Sequence, residues 1–190
     1  VAWGDAAKGG DTSEVQQELE EGVVAIASPF TDVSTFQLIG NQVTSIIDFD
    51  LAVNAAGADH LELGGLARLA GKGNDRDNRL VANNAGNTLF GRQGADSLIG
   101  GHGDDILRGG AGDDLITGGL GADQFEMSKG YDVVEDFAPM DGDVIGVDDS
   151  DLISLNTTSS GVLLSLRGTD HALLLQGMAM DDLSGYDIFV

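Results

Sequence analysis

The sequence predicts an all-β solenoid, and three observations lead to this interpretation. A nine-residue phrase recurs along the middle of the chain, as in GGHGDDILR from Gly100 and GGAGDDLIT from Gly109. In each phrase, the position two residues after a recurring Asp or Asn is large and apolar. A spacing of nine would scatter these residues around a helix but suits short strands joined by turns. Glycine makes up 29 of the 190 residues, about twice its usual share of roughly 7%. Two phrases then form one coil of 18 residues, and phrases 18 residues apart stack.

The large apolar residues of the phrases predict the two walls of a thin core. One wall is expected to contain Leu80, Leu98 and Ile116, and the other Leu89, Leu107 and Phe125. With one such residue per phrase, the apolar core is too thin to hold the coils together by itself.

An acidic or amide residue occupies the same place in every phrase. In steps of nine these residues are Asn78, Asn87, Asp96, Asp105, Asp114 and Asp123. Stacked strands lie about 4.8 Å apart, and carboxylates that close repel by roughly 1 kcal/mol in water and about 3 to 4 kcal/mol at an effective dielectric constant of 20. Calcium takes oxygen ligands at about 2.3–2.6 Å, so an ion between two turns can reach both carboxylates, while turn carbonyls complete its shell.

Solvated Asp residues in ordinary turns are the alternative interpretation of this row. The strict phase over four phrases, with neither Lys nor Arg in the row, favours calcium.

The phrases from Gly91 to Phe125 resemble the G-G-x-G-x-D-x-U-x nonapeptides of repeats-in-toxin (RTX) proteins. The resemblance implies a right-handed parallel β-roll that binds several Ca²⁺ ions between turns 18 residues apart. It also implies secretion from a Gram-negative bacterium to the extracellular space by an ABC-type (type I) secretion apparatus. An upstream domain of the same polypeptide is a further expected partner.

The resemblance also assigns ligands by position. Asp96 with Asp114, and Asp105 with Asp123, are expected to form full calcium sites. Asn78 with Asp96, and Asn87 with Asp105, are expected to form weaker ones, because a neutral amide binds the ion less strongly. The other expected ligands are residues of the glycine turns, namely Gly91, Gln93, Gly94, Ala95, Gly100, His102, Gly103, Asp104, Gly109, Ala111, Gly112, Asp113, Gly118, Leu120, Gly121 and Ala122.

Four segments are predicted along the chain. Residues 1–45 are interpreted as the strand-helix-strand remnant of a preceding domain, with a short helix between Ser13 and Gly22. Residues 46–72 form an N-terminal cap, 73–126 the roll, and 127–190 a C-terminal β cap with a secretion signal. Each cap is expected to hold a strand-turn-strand unit, and GVLLSLRG and HALLLQG are two further buried strands.

Four acidic residues of the caps allow two interpretations each. Asp48, Asp59, Asp136 and Asp143 either ligate further ions or serve as ordinary hairpin corners. The last residues, Asp187 to Val190, resemble the C-terminal signal of type I secreted proteases and lipases, with an edge strand as the alternative. Because the first residue is Val and not Met, the chain is expected to be a fragment of a longer protein.

Composition excludes several classes of function. The chain has 9 Lys and Arg against 32 Asp and Glu, a net charge of −23, which works against binding to nucleic acid or anionic lipid. The absence of Cys excludes disulfides and thiolate metal sites. No apolar run approaches the roughly 18 residues of a membrane span.

The fragment is not expected to be an enzyme. It has no H-E-x-x-H zinc helix, no G-x-S-x-G elbow and no P-loop, and its histidines, His60, His102 and His171, are far apart in sequence. The variable turn positions also lack the Thr and Asn array of an ice-binding face. We therefore expect a calcium-binding module that folds after secretion and stabilises a larger exported protein. Alternatively, the chain is the C-terminal part of a secreted hydrolase, epimerase or adhesin whose active region lies upstream.

Overall fold

A computed structural model describes residues 23–24, 36–147 and 153–190 of the chain. The helix predicted between Ser13 and Gly22 lies outside the described residues.

Almost all of the secondary structure in the described residues is β, arranged in two sheets. Across the larger sheet, the order is β1 (Val23–Val24), β2 (Phe36–Ile39), β3 (Gln42–Ser45), β5 (His60–Leu63), β7 (Arg79–Val81), β9 (Ser97–His102), β11 (Leu115–Leu120), β13 (Gly130–Val134), β17 (His171–Gln176), β16 (Gly161–Leu166) and β15 (Ile153–Thr157). Across the smaller sheet, it is β14 (Val144–Gly146), β12 (Gln124–Glu126), β10 (Ile106–Ala111), β8 (Thr88–Gln93), β6 (Ala70–Lys72) and β4 (Phe49–Asp50).

The chain alternates between the two sheets and advances by one strand in each sheet per coil. Leu107 of β10 pairs with Leu89 of β8 and with Phe125 of β12, both in parallel register. Ile116 of β11 pairs in the same way with Leu98 of β9. This 18-residue register builds a parallel β-solenoid of about six turns and confirms the predicted fold class.

Within the repeats, the two predicted walls form the core, which continues at both ends into buried residues of the flanking segments such as Leu61 and Val134. All six wall residues, Leu80, Leu89, Leu98, Leu107, Ile116 and Phe125, are no more than 1% exposed. In β9 the buried positions are Leu98 and Gly100, so each full strand contributes one large side chain and one glycine to the interior. The core is therefore as thin as the nine-residue spacing predicts.

Antiparallel strands flank the parallel coils at both ends. The β2–β3 hairpin lies at the N-terminal end, while β15 and β16 extend the sheet beyond β17. The predicted strands GVLLSLRG and HALLLQG correspond to β16 and β17. The last residues run parallel to β14, with Phe189 opposite Ile145, which is the edge-strand arrangement considered from the sequence.

Two short helices interrupt the β structure of the described residues. Helix α1 (Leu51–Asn54) stands where the sequence predicts only a turn of the N-terminal cap, and the side chain of Asp50 caps it by accepting a bond from the backbone N–H of Ala52 (3.1 Å). A 3-10 helix spans Met180–Leu183. Neither helix has the length and apolar character needed to cross a membrane, and the rest of the described chain contains none that does.

Leu107→Ala is expected to destabilise the calcium-loaded protein by roughly 2 to 5 kcal/mol, because it opens a cavity in a core one side chain thick. Ile106→Ala, one residue earlier on the same strand, is the matched control, since Ile106 is 36% exposed and its loss is expected to stay below about 1 kcal/mol. Denaturant unfolding at fixed calcium measures both, and equal losses would contradict the assignment of the two faces.

Candidate metal centre

The acidic row of the repeats forms two ladders of side-chain hydrogen bonds. In each ladder the side-chain oxygen of one residue accepts a bond from the backbone N–H of the residue 18 positions earlier, or 20 at the last step to Asp143. Thus Asp96 N–H donates to Asp114 Oδ1 (2.8 Å), and Asp105 N–H donates to Asp123 Oδ1 (2.9 Å). The members are Asn78, Asp96, Asp114 and Asp132 in one ladder, and Asn87, Asp105, Asp123 and Asp143 in the other.

The second carboxylate oxygen has no hydrogen-bond partner in the four full repeats. These oxygens are Oδ2 of Asp96, Asp105, Asp114 and Asp123, and all four residues are between 1% and 3% exposed. A buried carboxylate oxygen without a partner is strongly unfavourable, because the group loses its water without gaining a protein donor. A cation at each turn would supply what these oxygens lack.

Main-chain carbonyl groups of the next coil lie beside the unpartnered oxygens. A methyl group placed on Gly100 would lie 2.6 Å from Asp105 Oδ2 and 2.5 Å from the Gly118 carbonyl oxygen. The same probe on Gly91 would meet Asp96 Oδ2 and the Gly109 carbonyl oxygen. Glycine therefore keeps open a space bordered by oxygen atoms from two stacked turns. Carboxylate and main-chain carbonyl oxygens are ligands that Ca²⁺ prefers.

Residues 36–147 and 153–190 contain no cluster of three or more His, Cys, Asp or Glu side chains that could hold a metal ion. The carboxylates are instead distributed at one per turn, so a site between two turns must draw the rest of its ligands from the main chain. The unpartnered oxygens and adjacent carbonyl groups meet this requirement, and the donor set fits calcium.

Burial changes the acidity of the ladder residues. It raises the pKa of Asp96 to about 7, with the Asp114 carboxylate adding to the rise. It also raises the pKa of Asp114 to about 7 and that of Asp105 to about 6, where the Asp132 and Asp123 carboxylates, respectively, contribute. Burial raises the pKa of Asp123 as well. Ionising these groups in the folded chain is thus opposed unless positive charge lies nearby.

At their C-terminal ends, the ladders finish in carboxylates whose second oxygen is satisfied by the protein. Asp132 Oδ2 accepts a bond from the hydroxyl of Ser128 (2.8 Å), and Asp143 Oδ2 accepts one from the backbone N–H of Ala138 (2.8 Å). Asp132 is not among the residues predicted from the sequence, although one more step of nine from Asp123 reaches it. Asp143 was considered only as a cap residue, because a two-residue insertion takes it out of the nine-residue phase.

At their N-terminal ends, the ladders begin with amides. Asn78 Nδ2 donates to Asn74 Oδ1 (3.1 Å), and Asn87 Nδ2 donates to the carbonyl of Asn83 (2.8 Å). Each side-chain amide nitrogen thus donates a hydrogen bond to an oxygen of its own turn. The role of Asn78 and Asn87 as weak calcium ligands stays a prediction, and these bonds show that both turns are also closed by protein groups.

Other residues predicted from the sequence have identified partners. Asp104 Oδ1 accepts a bond from the backbone N–H of Ala122 (3.0 Å), and Asp113 Oδ1 accepts one from that of Tyr131 (2.9 Å). The side chains of these two residues therefore face the next turn, which leaves their carbonyl groups as the expected ligands. His102 is exposed.

The three other cap residues that the sequence suggests as further ligands also have protein partners. Asp48 accepts a bond from the backbone of Ala70 (2.7 Å), and Asp136 accepts bonds from the backbone N–H groups of Gly118 and Gly119 (2.9 and 2.8 Å). Asp59 pairs with Arg76 (2.8 Å), and this contact lowers the Asp59 pKa. Binding of further ions by these residues stays a prediction.

Comparison with known families identifies the repeats. The family model for the RTX calcium-binding nonapeptide repeat (4 copies) matches residues 72–107 and 99–134, which span the four full repeats and every ladder member except Asp143. A search of curated proteins returned no match. Residues 72–134 therefore match RTX repeats, whose family binds calcium ions and is a structural module and not a catalytic one.

Asp114→Asn is expected to raise the calcium concentration needed for half-maximal folding by roughly tenfold or more, because it removes a charged ligand. Asparagine retains the Oδ1 that accepts the Asp96 N–H bond, so the ladder is preserved. Asp181→Asn is the control, since Asp181 is an exposed acidic residue outside the repeats. A calcium titration followed by circular dichroism measures both midpoints, and equal shifts would contradict the ladder assignment.

Without calcium, the β content of the chain is expected to rise as the pH falls from about 7.5 to about 5. The folded-state pKa values of Asp96, Asp105 and Asp114 lie above the ordinary value of 3.8, so the folded chain binds more protons than the unfolded chain between about pH 4 and pH 7. Stability must then decrease as the pH rises through this window. Circular dichroism in a chelator measures the effect, and a β signal that grows with pH would contradict it.

Proposed function

We propose that this chain is a calcium-dependent folding module that is exported unfolded and stabilises a larger protein outside the cell. RTX repeats are calcium-binding modules typical of exported proteins. The observation that carries the proposal is the set of four buried carboxylate oxygens without partners, one in each full repeat.

The energetics of the roll support a fold that depends on a cation. The two walls bury one large side chain per strand, so apolar burial offers little to offset the backbone entropy of a chain with 29 glycines. The net charge of −23 further opposes compaction. Bound calcium supplies positive charge at the turns, and its binding free energy then becomes folding free energy.

The calcium concentration differs between the cytosol and the outside of the cell, so a fold that depends on calcium forms outside. Extracellular calcium modules are tuned to dissociation constants of about 10⁻⁴ to 10⁻³ M, and cytosolic proteins to much lower ones. A module tuned to the outside concentration stays unfolded in the cytosol, which suits passage through a type I channel. Outside, the coils close from turn to turn and stabilise the upstream domain of the same polypeptide.

The last residues are the segment whose sequence resembles a type I export signal. Ile188 is 5% exposed, and Val190 N–H donates to the Ile145 carbonyl (3.1 Å), so this segment packs as an edge strand in the folded chain. We propose that Asp187 to Val190 act as the export signal before folding, when the strand is not yet formed.

Calcium titration of the chelated chain at neutral pH is expected to convert a spectrum poor in β structure into a β-rich one in a cooperative step. Magnesium at equal concentration is the control, because it requires near-ideal octahedral geometry at about 2.0–2.1 Å and dehydrates reluctantly. Sodium chloride at matched ionic strength controls for charge screening. A chain that is fully β-rich in chelator, or that folds equally well with magnesium, would overturn the proposal.

A further inference from the structure

Arg92 occupies a turn position at which the three following repeats have glycine. The turn reads GRQGAD, and its equivalents place Gly101, Gly110 and Gly119 at this point. The backbone φ of Arg92 is 89°, and Arg92 is the one non-glycine residue with positive φ in the described part of the chain. That conformation is unfavourable for a residue with a Cβ atom, so other contacts must offset it.

The Arg92 guanidinium group bridges two distant parts of the chain. Its Nη1 and Nη2 donate to Oδ1 and Oδ2 of Asp50, both at 2.7 Å, in a bidentate pair. Nη1 also donates to the carbonyl oxygen of Gly73 (2.8 Å). The two paired side chains are only 26% and 23% exposed, so the contact is more strongly desolvated than a surface ion pair.

The Gly73 carbonyl group begins a series that continues into the calcium array. Gly91 and Gly109 follow it at steps of 18, and the Gly109 carbonyl oxygen lies beside the unpartnered Asp96 Oδ2. At Gly73 the corresponding oxygen instead faces a guanidinium group held by the Asp50 carboxylate. A carboxylate, a main-chain carbonyl group and a positive charge meet here, and the protein supplies all three.

We propose that Arg92 is an internal cation that closes the N-terminal boundary of the calcium array and fastens the N-terminal cap to the roll without metal. Asp50 ends β4 and caps α1 through Ala52, so a single guanidinium group connects the first full repeat to this cap. The cap is then attached to the first full repeat by a charge that belongs to the polypeptide.

Hydrogen exchange at saturating calcium tests this proposal. Arg92→Gly introduces the residue that the equivalent turns use and relieves the positive φ, so a purely local role predicts equal or greater protection of the cap. We expect instead at least a tenfold faster exchange of the Ala52 amide, with amides of β10 and β11 unchanged. Asp59→Asn is the control, because it removes a more exposed ion pair (to Arg76) in the same region.

A double variant separates the ion pair from general damage to the turn. Asp50→Asn is expected to speed Ala52 exchange, and Arg92→Gly combined with Asp50→Asn is expected to do no more than the stronger single change. Unchanged or greater protection in Arg92→Gly, or additive effects in the double variant, would overturn the proposal. Because calcium is saturating throughout, such a result would leave calcium-dependent folding of the roll untouched.

Discussion

Parallel strands in strict 18-residue register bring one carboxylate per turn into two buried columns, and the rest of the structure depends on how those charges are held. Each Asp of the full repeats gives one oxygen to the backbone of the preceding coil and leaves the other without a protein donor. Burial removes water from these oxygens as well. Under the proposed function, the residues that would bind calcium are therefore the same residues whose buried charge opposes folding without it.

Protein groups end both columns of carboxylates. Amide nitrogens of Asn78 and Asn87 face the turn oxygens at one end, while Ser128 and the Ala138 backbone supply donors at the other. The central turns offer no such donors to Asp Oδ2. Among the described carboxylates, the buried oxygens without a partner are therefore confined to the full repeats. In our proposal, Arg92 supplies a protein donor in the same way at the N-terminal cap.

The strict period made the core and the ladders predictable from sequence. A phase of nine identifies each wall residue and each full-repeat Asp, because parallel pairing leaves little freedom in register. The nine-residue period does not predict contacts that depart from it. Asp143 is displaced from the period by two inserted residues, and Arg92 contacts Asp50 across 42 positions. Sequence also gives no indication of where an amide nitrogen points, so Asn78 and Asn87 were interpreted as ligands alone. Helix α1 has four residues, too few to show a helical period.

The ladders also connect metal binding to the stacking of coils through single side chains. In Asp114, Oδ1 accepts the Asp96 N–H bond while Oδ2 borders the space that glycine keeps open. A cation that fixes Oδ2 therefore also fixes the acceptor for the coil before it, and an ordered coil places its own Asp in position in turn. In a solenoid, where each coil contacts only its neighbours, such nearest-neighbour coupling makes folding spread from site to site. Under the proposed calcium-dependent folding, turns that each bind calcium weakly would therefore respond together over a narrow range of calcium concentration.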